Sequence, residues 1–266
     1  MKERIDIILV ESRLVESRVK AQWLIKSGFV LVNGVLLKKP GKKVDNNANI
    51  TLKKEFPYVG RGGLKLKAAL NKFAIKVENK VCADIGASIG GFTDCLLKNR
   101  ALKVYAIDTA KNILHPSLTS KYNRIIKLLG VDARSLIELD EKIELVTIDI
   151  TFASLKTILP NVKNYLKRNG DIIVLVKPLF ETNFYEKKFF KIITNLQRLK
   201  KILHDFLCWS SENGFFPYGI TQSPILGKGG SIEFLVHFRI DKERTQFNIF
   251  KELEEVIDNM NIRELK

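Results

Sequence analysis

The stretch "VCADIGASIGGFTDCLL", from Val81 to Leu97, carries the most informative pattern in the chain. An apolar run leads to an aspartate, a loop with three glycines follows, and residues 91–98 then suit a helix. Bare glycines let the backbone turn sharply and approach a ligand where a Cβ atom would collide. A tight strand-to-helix turn without a ligand would also explain them. The spacing does not fit a nucleoside triphosphate loop, which needs a Gly-Lys-Ser/Thr ending.

From this stretch outward, apolar strands alternate with helices. Strands are predicted at 81–85, 103–108, 124–129, 144–149, 171–176, 216–223 and 231–238, and helices at 64–73, 91–98, 154–167 and about 188–207. Such alternation predicts an α/β fold with a Rossmann-like, doubly wound and mostly parallel sheet. Ligands of such sheets bind beyond the carboxyl ends of the strands, near the first strand. The tail, 241–266, predicts one amphipathic acidic helix with Ile249, Leu253 and Ile257 in line.

The first sixty residues predict a separate small α+β module. Two amphipathic helices are followed by a hairpin at Asn33-Gly34, the strongest short hairpin signal, and by a strand in "NANITLK". The second helix has Ser17 at its N-cap position and Gly28 as its stop. We therefore predict a module over 1–60 with a linker at 53–60, a second domain over 61–240 and a helical extension over 241–266.

The net charge of +16 is unevenly distributed. Residues 1–67 hold fifteen Lys and Arg against six Asp and Glu, a balance of +9. Lysine and arginine release counterions when they contact phosphates, which gives affinity for nucleic acid without sequence preference. The charge favours a nucleic acid partner over its alternative, a solvated basic surface.

Other composition features exclude several classes of protein. The longest apolar run has five residues, Ile172 to Val176, whereas a membrane span needs about 20. The N-terminus lacks the apolar core of a secretory signal. Three scattered cysteines without CxxC spacing indicate reduced thiols in a cytoplasmic protein, and they argue against a metal site.

Two aspartates beyond strand ends suit an adenosine-type ligand. Asp108 ends the next predicted strand, about twenty residues after the glycine loop, where a carboxylate accepts hydrogen bonds from a ribose diol. Asp132 follows the third strand and could accept from an adenine amino group, or it is an exposed loop carboxylate. NAD would suit the same geometry.

Four further charged residues lie at unusual positions in or near apolar segments. Asp149 and Lys177 each end a predicted strand, Glu233 lies inside one, and Lys65 follows "RGG". Burying a charge is costly unless the charge is paired. Each residue alone could belong to a structural ion pair, but four of them at one face of one sheet indicate an active site.

Residues 4–44, "RIDIILV…" through "…PGKKV", resemble the S-four-type RNA-binding domain. The resemblance rests on Arg4 and Asp6 in the first helix, on the Ser17-Arg18 helix start and on Val32-Asn33-Gly34 at the hairpin. It implies binding to structured RNA through backbone and shape. The candidate RNA contacts are Arg4, Arg18, Lys20, Lys26 and Arg61.

Together, "YVGRGGLKL", "DIGASIGGFT", "TIDITFASL", "LVKPLFE" and "SPILGKGGSIEFL" resemble the TlyA family of ribosomal RNA 2′-O-methyltransferases, which are FtsJ/RrmJ-like enzymes. The resemblance implies that S-adenosylmethionine binds in the glycine loop. It also implies a Lys-Asp-Lys-Glu tetrad that methylates a ribose 2′-hydroxyl, in a cytidine of large-subunit and possibly small-subunit RNA. The implied tetrad is Lys65, Asp149, Lys177 and Glu233. The implied cofactor contacts are Asp84, Gly86, Ser88, Gly90, Gly91, Phe92, Asp108 and Asp132.

Within this resemblance, we predict Lys177 as the base or hydroxyl-activating group, with Asp149 orienting it. Lys65 and Glu233 would position the ribose. The sequence departs from the family at Leu179, where Gln is usual, at Ser231, where Asn is usual, and after Glu181, where relatives continue with a glycine-rich stretch. The competing interpretations are a non-catalytic RNA-binding or ribosome assembly factor, a membrane-active haemolysin and a small-molecule methyltransferase.

Overall fold

Apolar segments of the sequence form the strands and the buried helix faces of the computed structural model, which describes residues 2–26, 28–52, 57–182, 193–241 and 248–260. The chain divides into two units, Met1–Pro57 and Tyr58–Lys266. Among the described residues, no helix combines the length and the apolar character needed to cross a bilayer.

The described residues of the first unit form two helices and two small antiparallel sheets. The elements are β1 (Lys2–Arg4), α1 (Ile5–Glu11), α2 (Arg18–Lys26), β2 (Val30–Val32), β3 (Val35–Leu36), β4 (Lys43–Asp45) and β5 (Ile50–Leu52). Strand β1 pairs with β4, and β2 pairs with both β3 and β5. The predicted apolar helix faces are confirmed, since their side chains are buried: Ile5, Ile8, Leu9, Ala21, Leu24 and Ile25.

The hairpin at Asn33-Gly34 is also confirmed, because both residues have the positive φ angles, 51° and 78°, that a type I′ turn requires. One placement was wrong: Arg4 ends β1 and does not lie in the first helix. Three-residue strands such as β1 and β4 are too short to leave a periodic signal.

The described part of the second unit is built on a seven-stranded sheet in the order β11-β12-β10-β9-β6-β7-β8. The strands are β6 (Val81–Ile85), β7 (Lys103–Asp108), β8 (Ile125–Leu129), β9 (Ile143–Ile148), β10 (Leu166–Val176), β11 (Phe216–Gln222) and β12 (Phe234–Arg239). Strands β6 to β10 are mutually parallel, and β12 is antiparallel to both β10 and β11. This arrangement confirms the predicted doubly wound, mostly parallel sheet.

The described helices of this unit are α3 (Gly62–Lys72), α4 (Gly91–Lys98), α5 (Pro116–Lys121), α6 (Leu159–Tyr165), α7 (Leu196–Glu212) and α8 (Ile249–Asp258). On α8, Ile249, Leu253 and Ile257 are buried in line, as predicted. The backbone N–H of Ile220 in β11 donates to Glu252 of that helix at 3.0 Å. The remainder of the predicted tail helix, at 242–247 and 261–266, lies outside the described residues.

Three boundaries differ from prediction. The predicted helix over 154–167 is divided into a 3₁₀ turn (Leu155–Thr157) and α6, because Pro160 favours the first turn of a helix, and Leu166 already pairs in β10. Helix α7 begins at its N-cap Asn195, whose side chain accepts from the N–H of Arg198, and residues 188–192 of that prediction lie outside the described residues. Glu233 precedes β12, whereas we predicted it inside the strand.

Asp171 of β10 is the centre of a largely buried cluster of charged side chains. Its partners are two residues of β12 and the lysine that precedes β6. The Asp171 carboxylate accepts hydrogen bonds from Lys80 Nζ at 2.9 Å, His237 Nε2 at 3.0 Å and Arg239 Nε at 3.0 Å. Burial alone would raise the pKa of Asp171. The hydrogen bonds from His237 and Lys80, together with their charges, instead hold that pKa well below its usual value.

Replacing Asp171 by asparagine should therefore lower the free energy of unfolding in a pH-dependent way. At pH 7 we expect a loss of about 3–5 kcal/mol, because buried cations lose their counter-charge. A carboxylate with a lowered native pKa stabilises the fold above its unfolded pKa of about 3.9, and this stabilisation disappears as the pH falls further. Urea unfolding of both proteins at several pH values from 7 down to about 2 tests this: the difference should stay constant to about pH 4 and shrink below it, and a difference that stays constant over the whole range would contradict it.

Candidate active site

Four parallel strands of the second unit, β6, β7, β9 and β10, end at the same edge of the sheet. The glycine loop leaves β6 there, and Gly86 adopts a left-handed conformation with φ 80°. A Cβ atom at Gly86 would lie 2.3 Å from the carbonyl oxygen of Asp149. The backbone N–H of Asp149 in turn donates to Ile85 O at 2.9 Å. Only glycine therefore allows the loop and the end of β9 to lie so close together.

The predicted cofactor residues around this loop have different surroundings. Gly90, with φ 95°, precedes α4, and Gly91 and Phe92 are buried at the start of that helix. The Asp108 carboxylate accepts from the backbone N–H groups of Ser88 at 2.8 Å and Ala110 at 2.9 Å. Asp108 thus fastens the exposed tip of the glycine loop to the end of β7.

The other two predicted cofactor carboxylates already have strong partners. Asp84 is fully buried and accepts from the hydroxyls of Thr93 at 2.6 Å and Thr147 at 3.2 Å. Burial raises the pKa of Asp84 to about 7, although these two hydrogen bonds oppose the rise. Asp132 is held by the guanidinium of Arg134, which lowers the pKa of Asp132. This pairing between residues two positions apart was not predicted.

The four candidate catalytic residues form two ion pairs. Lys177 Nζ lies 2.6 Å from the Asp149 carboxylate and donates to Ile150 O at 2.8 Å and to Thr151 Oγ1 at 3.0 Å. Lys65, on α3, lies 2.5 Å from Glu233, and both side chains are buried. Asp149 directly follows β9 and Lys177 directly follows β10, so the sheet brings the first pair together.

A cavity of about 690 Å³ joins the two pairs. Lys65, Lys177 and Glu233 line this cavity. Asp149 does not line it, but is paired with Lys177, which does. The rest of its lining combines apolar side chains with two more cations and a glycine turn: Arg61, Thr151, Phe152, Pro178, Leu179, Phe180, Ile193, Leu199, Lys228, Gly229, Ser231 and Ile232. The site therefore has a charged side that can act on a hydroxyl and an apolar side that can hold a flat ring.

Two residues with a part in this geometry were missed by the sequence analysis. The Glu181 carboxylate accepts from Ser154 Oγ at 2.5 Å and from the backbone N–H of Leu155 at 2.9 Å, which ties the segment after Lys177 to the segment after Asp149. Phe152 is 72% exposed at the cavity and has a left-handed φ of 70°. A glutamate that ends "KPLFE" and a phenylalanine three residues after Asp149 gave no signal of their own.

Two of the candidate RNA contacts of the first unit share one buried carboxylate. Arg4 and Arg18 both donate to Asp6, at 2.9 and 3.2 Å, and hold the pKa of Asp6 far below its usual value. About half of each guanidinium side chain stays exposed. Lys20 pairs with Glu16 at 3.3 Å, and Lys26 is exposed in the last turn of α2. Arg61, the fifth predicted contact, lies instead at the cavity of the second unit.

No group of three or more histidine, cysteine, aspartate or glutamate side chains within the described ranges could hold a metal ion. The predicted departure from the family after Glu181 falls on residues 183–192, which lie outside the described residues.

Comparison with known proteins gives matches over nearly the whole chain. The family model described as FtsJ-like methyltransferase matches residues 58–240, and that described as S4 domain matches residues 3–50. Hemolysin A of Brachyspira hyodysenteriae is 38% identical over 240 residues, which cover 89% of this chain and 100% of that protein. The 16S/23S rRNA (cytidine-2′-O)-methyltransferase TlyA of Mycobacterium tuberculosis is 33% identical over 247 residues, covering 91% of this chain and 92% of that protein. A solved structure from Streptococcus thermophilus, described as a hemolysin, has a TM-score of 0.72 at 33% identity and covers 97% of this chain and 94% of its own.

Proposed function

The chain belongs to the FtsJ-like methyltransferase family, and from that premise we propose that it transfers a methyl group from S-adenosylmethionine to a ribose 2′-hydroxyl of ribosomal RNA. One observation carries this proposal beyond the family assignment. The Lys177–Asp149 and Lys65–Glu233 pairs meet at a single cavity, beside a glycine loop that has no room for side chains.

The glycine loop and the end of β7 fit an S-adenosylmethionine molecule. A Cβ atom at Gly86 would lie 2.3 Å from Asp149 O, and one at Gly90 would lie 2.2 Å from a Leu118 methyl group, so the glycines let the loop pack closely at the strand ends, where ligands of such sheets bind. Each oxygen of the Asp108 carboxylate accepts one backbone N–H and keeps a second lone pair for a ribose hydroxyl. Asp132 has less support as an adenine contact, since a ligand would compete with Arg134 for it. When bound, S-adenosylmethionine supplies an electrophilic methyl group on a sulfonium.

Lys177 has the surroundings of a group that activates a hydroxyl. Its three acceptors, Asp149, Ile150 O and Thr151 Oγ1, match the three N–H bonds of an ammonium. Thr151 is the only one of the three that can also donate, so it can reverse its hydrogen bond to support a neutral amine. A neutral Lys177 could take the proton of the 2′-hydroxyl as the alkoxide forms.

The second pair, Lys65–Glu233, would position the ribose beside Lys177. Both side chains are buried, so the ammonium of Lys65 acts on a developing alkoxide with little screening by water. Holding the hydroxyl in line with the methyl group removes much of the entropic part of the barrier. The target nucleotide must leave its helix to enter the cavity, and the exposed ring of Phe152 at the cavity offers a surface on which a base can stack.

The cations of the first unit support the proposal that the substrate is a polyanion. Arg4, Arg18, Lys20 and Lys26 belong to a matched S4 domain, and the half-exposed guanidinium groups suit phosphate contacts. We propose that this unit binds folded ribosomal RNA, since its cations can follow backbone and shape without reading base edges.

The proposal is tested by incubating the protein with radiolabelled S-adenosylmethionine and purified, unmodified small and large ribosomal subunits. We expect label in the RNA of at least one subunit. Binding to the subunits without any transfer, together with no binding of S-adenosylmethionine, would instead establish a non-catalytic RNA-binding factor.

Glu181→Ala should lower kcat for methyl transfer about tenfold with little change in the KM for either substrate. Without this carboxylate, the segments that carry Lys177 and Asp149 lose their link through Ser154 and Leu155. Small displacements of catalytic groups have effects of this size. Glu181→Gln should recover most of the rate, because its amide oxygen still accepts from Leu155. Steady-state kinetics of the three proteins decide this, and equal rates for wild type and alanine variant would rule out a positioning role.

A further inference from the structure

We propose that Arg61 and Lys228 form a two-point phosphate site, which holds the phosphodiesters on either side of the target ribose. This inference rests on the proposed function and deepens it, because it defines the acceptor as a nucleotide within a chain. Lys228 is neither one of the four candidate catalytic residues nor one of the candidate RNA contacts.

The charges of the cavity lining are not balanced. Lys65 and Lys177 each have a carboxylate partner, whereas neither Arg61 nor Lys228 forms an ion pair within the described part of the chain. Lys228 is exposed, and Arg61 is half-buried. Among the described residues, four cations and two carboxylates thus surround the site, which leaves two positive charges for an anionic ligand.

Lys228 is held near the site by a tight turn. The N–H of Gly227 donates to Ser231 O at 2.8 Å, and Gly229 and Gly230 have positive φ angles of 72° and 93°. A Cβ atom at Gly227 would lie 2.0 Å from Glu233 Oε1, so the turn packs directly against the catalytic carboxylate. The backbone of Lys228 is therefore held beside Glu233.

The backbone of Arg61 is held near Lys65, the partner of Glu233 in the buried ion pair. It directly precedes α3, and Lys65 follows it by four residues, on the same side of the helix. Because Lys65 and Glu233 are themselves paired, Arg61 and Lys228 are connected to one buried ion pair from two separate segments. This places two cations from two separate segments at one cavity.

A nucleotide inside an RNA chain offers a matching pair of anions. It has one phosphodiester on its 5′ side and another on its 3′ side, and the 3′ phosphate neighbours the 2′-hydroxyl. Guanidinium and ammonium groups both form strong charge-assisted hydrogen bonds to phosphate oxygens. Two such contacts would fix the ribose between them and would leave a free nucleoside poorly bound.

The test is methyl-transfer kinetics of the full-length chain on ribosomal subunits at several salt concentrations. Lys228→Gln should lower kcat/KM about tenfold through KM, the effect of one charge-assisted hydrogen bond. The slope of log kcat/KM against log salt should become less steep by about 0.7, as expected for one lost contact to single-stranded RNA. Lys228→Arg should restore both values. Lys127→Gln, an exposed change on the edge strand β8, should match the wild type.

A second measurement does not depend on activity. Acetylation of lysines by a water-soluble reagent, read by peptide mass spectrometry, should fall several-fold at Lys228 when ribosomal RNA is added, and it should stay constant at Lys127. An unchanged salt slope with Lys228→Gln, or equal acetylation with and without RNA, would overturn the phosphate site while the methyltransferase activity stands. A wild type that transfers no methyl group would refute the proposed function, and the acetylation result would still decide the phosphate site.

Discussion

Lys177→Ala is expected to reduce methyl transfer to ribosomal RNA by about 10³-fold, which is typical for the loss of a group that moves a proton in the transition state. Lys177 is the only candidate catalytic cation that has three hydrogen-bond acceptors at its Nζ atom among the described residues. Binding of S-adenosylmethionine should be nearly unchanged. Among the described residues, the partners of Lys177 Nζ are Asp149, Ile150 O and Thr151 Oγ1, and they include neither Asp108 nor a residue of the glycine loop. Single-turnover transfer of label, alongside calorimetric titration with the cofactor, measures both quantities.

Lys167→Ala is the matched control for this change. Lys167 lies on β10, the strand that Lys177 directly follows, and forms a surface pair with Glu144 at 3.2 Å. Exposed pairs of this kind contribute little to stability, so the control should keep the wild-type rate. If Lys177→Ala retained more than about a tenth of that rate, the assignment of Lys177 as the proton-moving group would be wrong.

Gly86→Ala should remove cofactor binding and destabilise the second unit. The added Cβ atom would lie 2.3 Å from the backbone carbonyl of Asp149, which cannot move without displacing β9 and the Lys177–Asp149 pair. Strain at φ 80° adds to this overlap. Together we expect a loss of about 3–5 kcal/mol in the free energy of unfolding, measured by urea denaturation, and no detectable heat of S-adenosylmethionine binding.

Gly214→Ala separates backbone strain from overlap. Gly214 has a similar φ of 70°, but the nearest atom to an added Cβ is Lys163 Nζ, at the end of a side chain and not in a backbone. This variant should lose only about 1 kcal/mol, the cost of a left-handed non-glycine residue, and should bind the cofactor normally. Equal losses in both variants would show that the contact between Gly86 and Asp149 has no special importance.

Local patterns were sufficient to predict most of the second unit. Strand β6 and helix α4 form over the predicted residues, because an apolar run, a glycine loop and a helix pattern each signal their structure over a short stretch. The alternation of such elements determines the sheet type. The strand order of the sheet brings Asp149 and Lys177 to adjacent strand ends, and no sequence pattern gives their 2.6 Å contact.

Other features could not be predicted because they depend on residues far apart in the chain. Lys65 and Glu233 are separated by 168 positions, and their pairing depends on the packing of α3 beside β12. The need for glycine at position 86 comes from a carbonyl group 63 residues later. Weak local signals failed as well: β1 and β4 are too short to give a period, and the partners of Glu181 lie on another segment.

The most direct test of the account is to locate the transferred methyl group. Ribosomal RNA labelled by the wild-type protein is hydrolysed in alkali, which cleaves next to every free 2′-hydroxyl but not next to a methylated one. We predict that all protein-dependent label appears in alkali-resistant dinucleotides and that Lys177→Ala yields none. Label released as mononucleotides would place the methyl group on a base, and it would contradict a site built to activate a ribose hydroxyl.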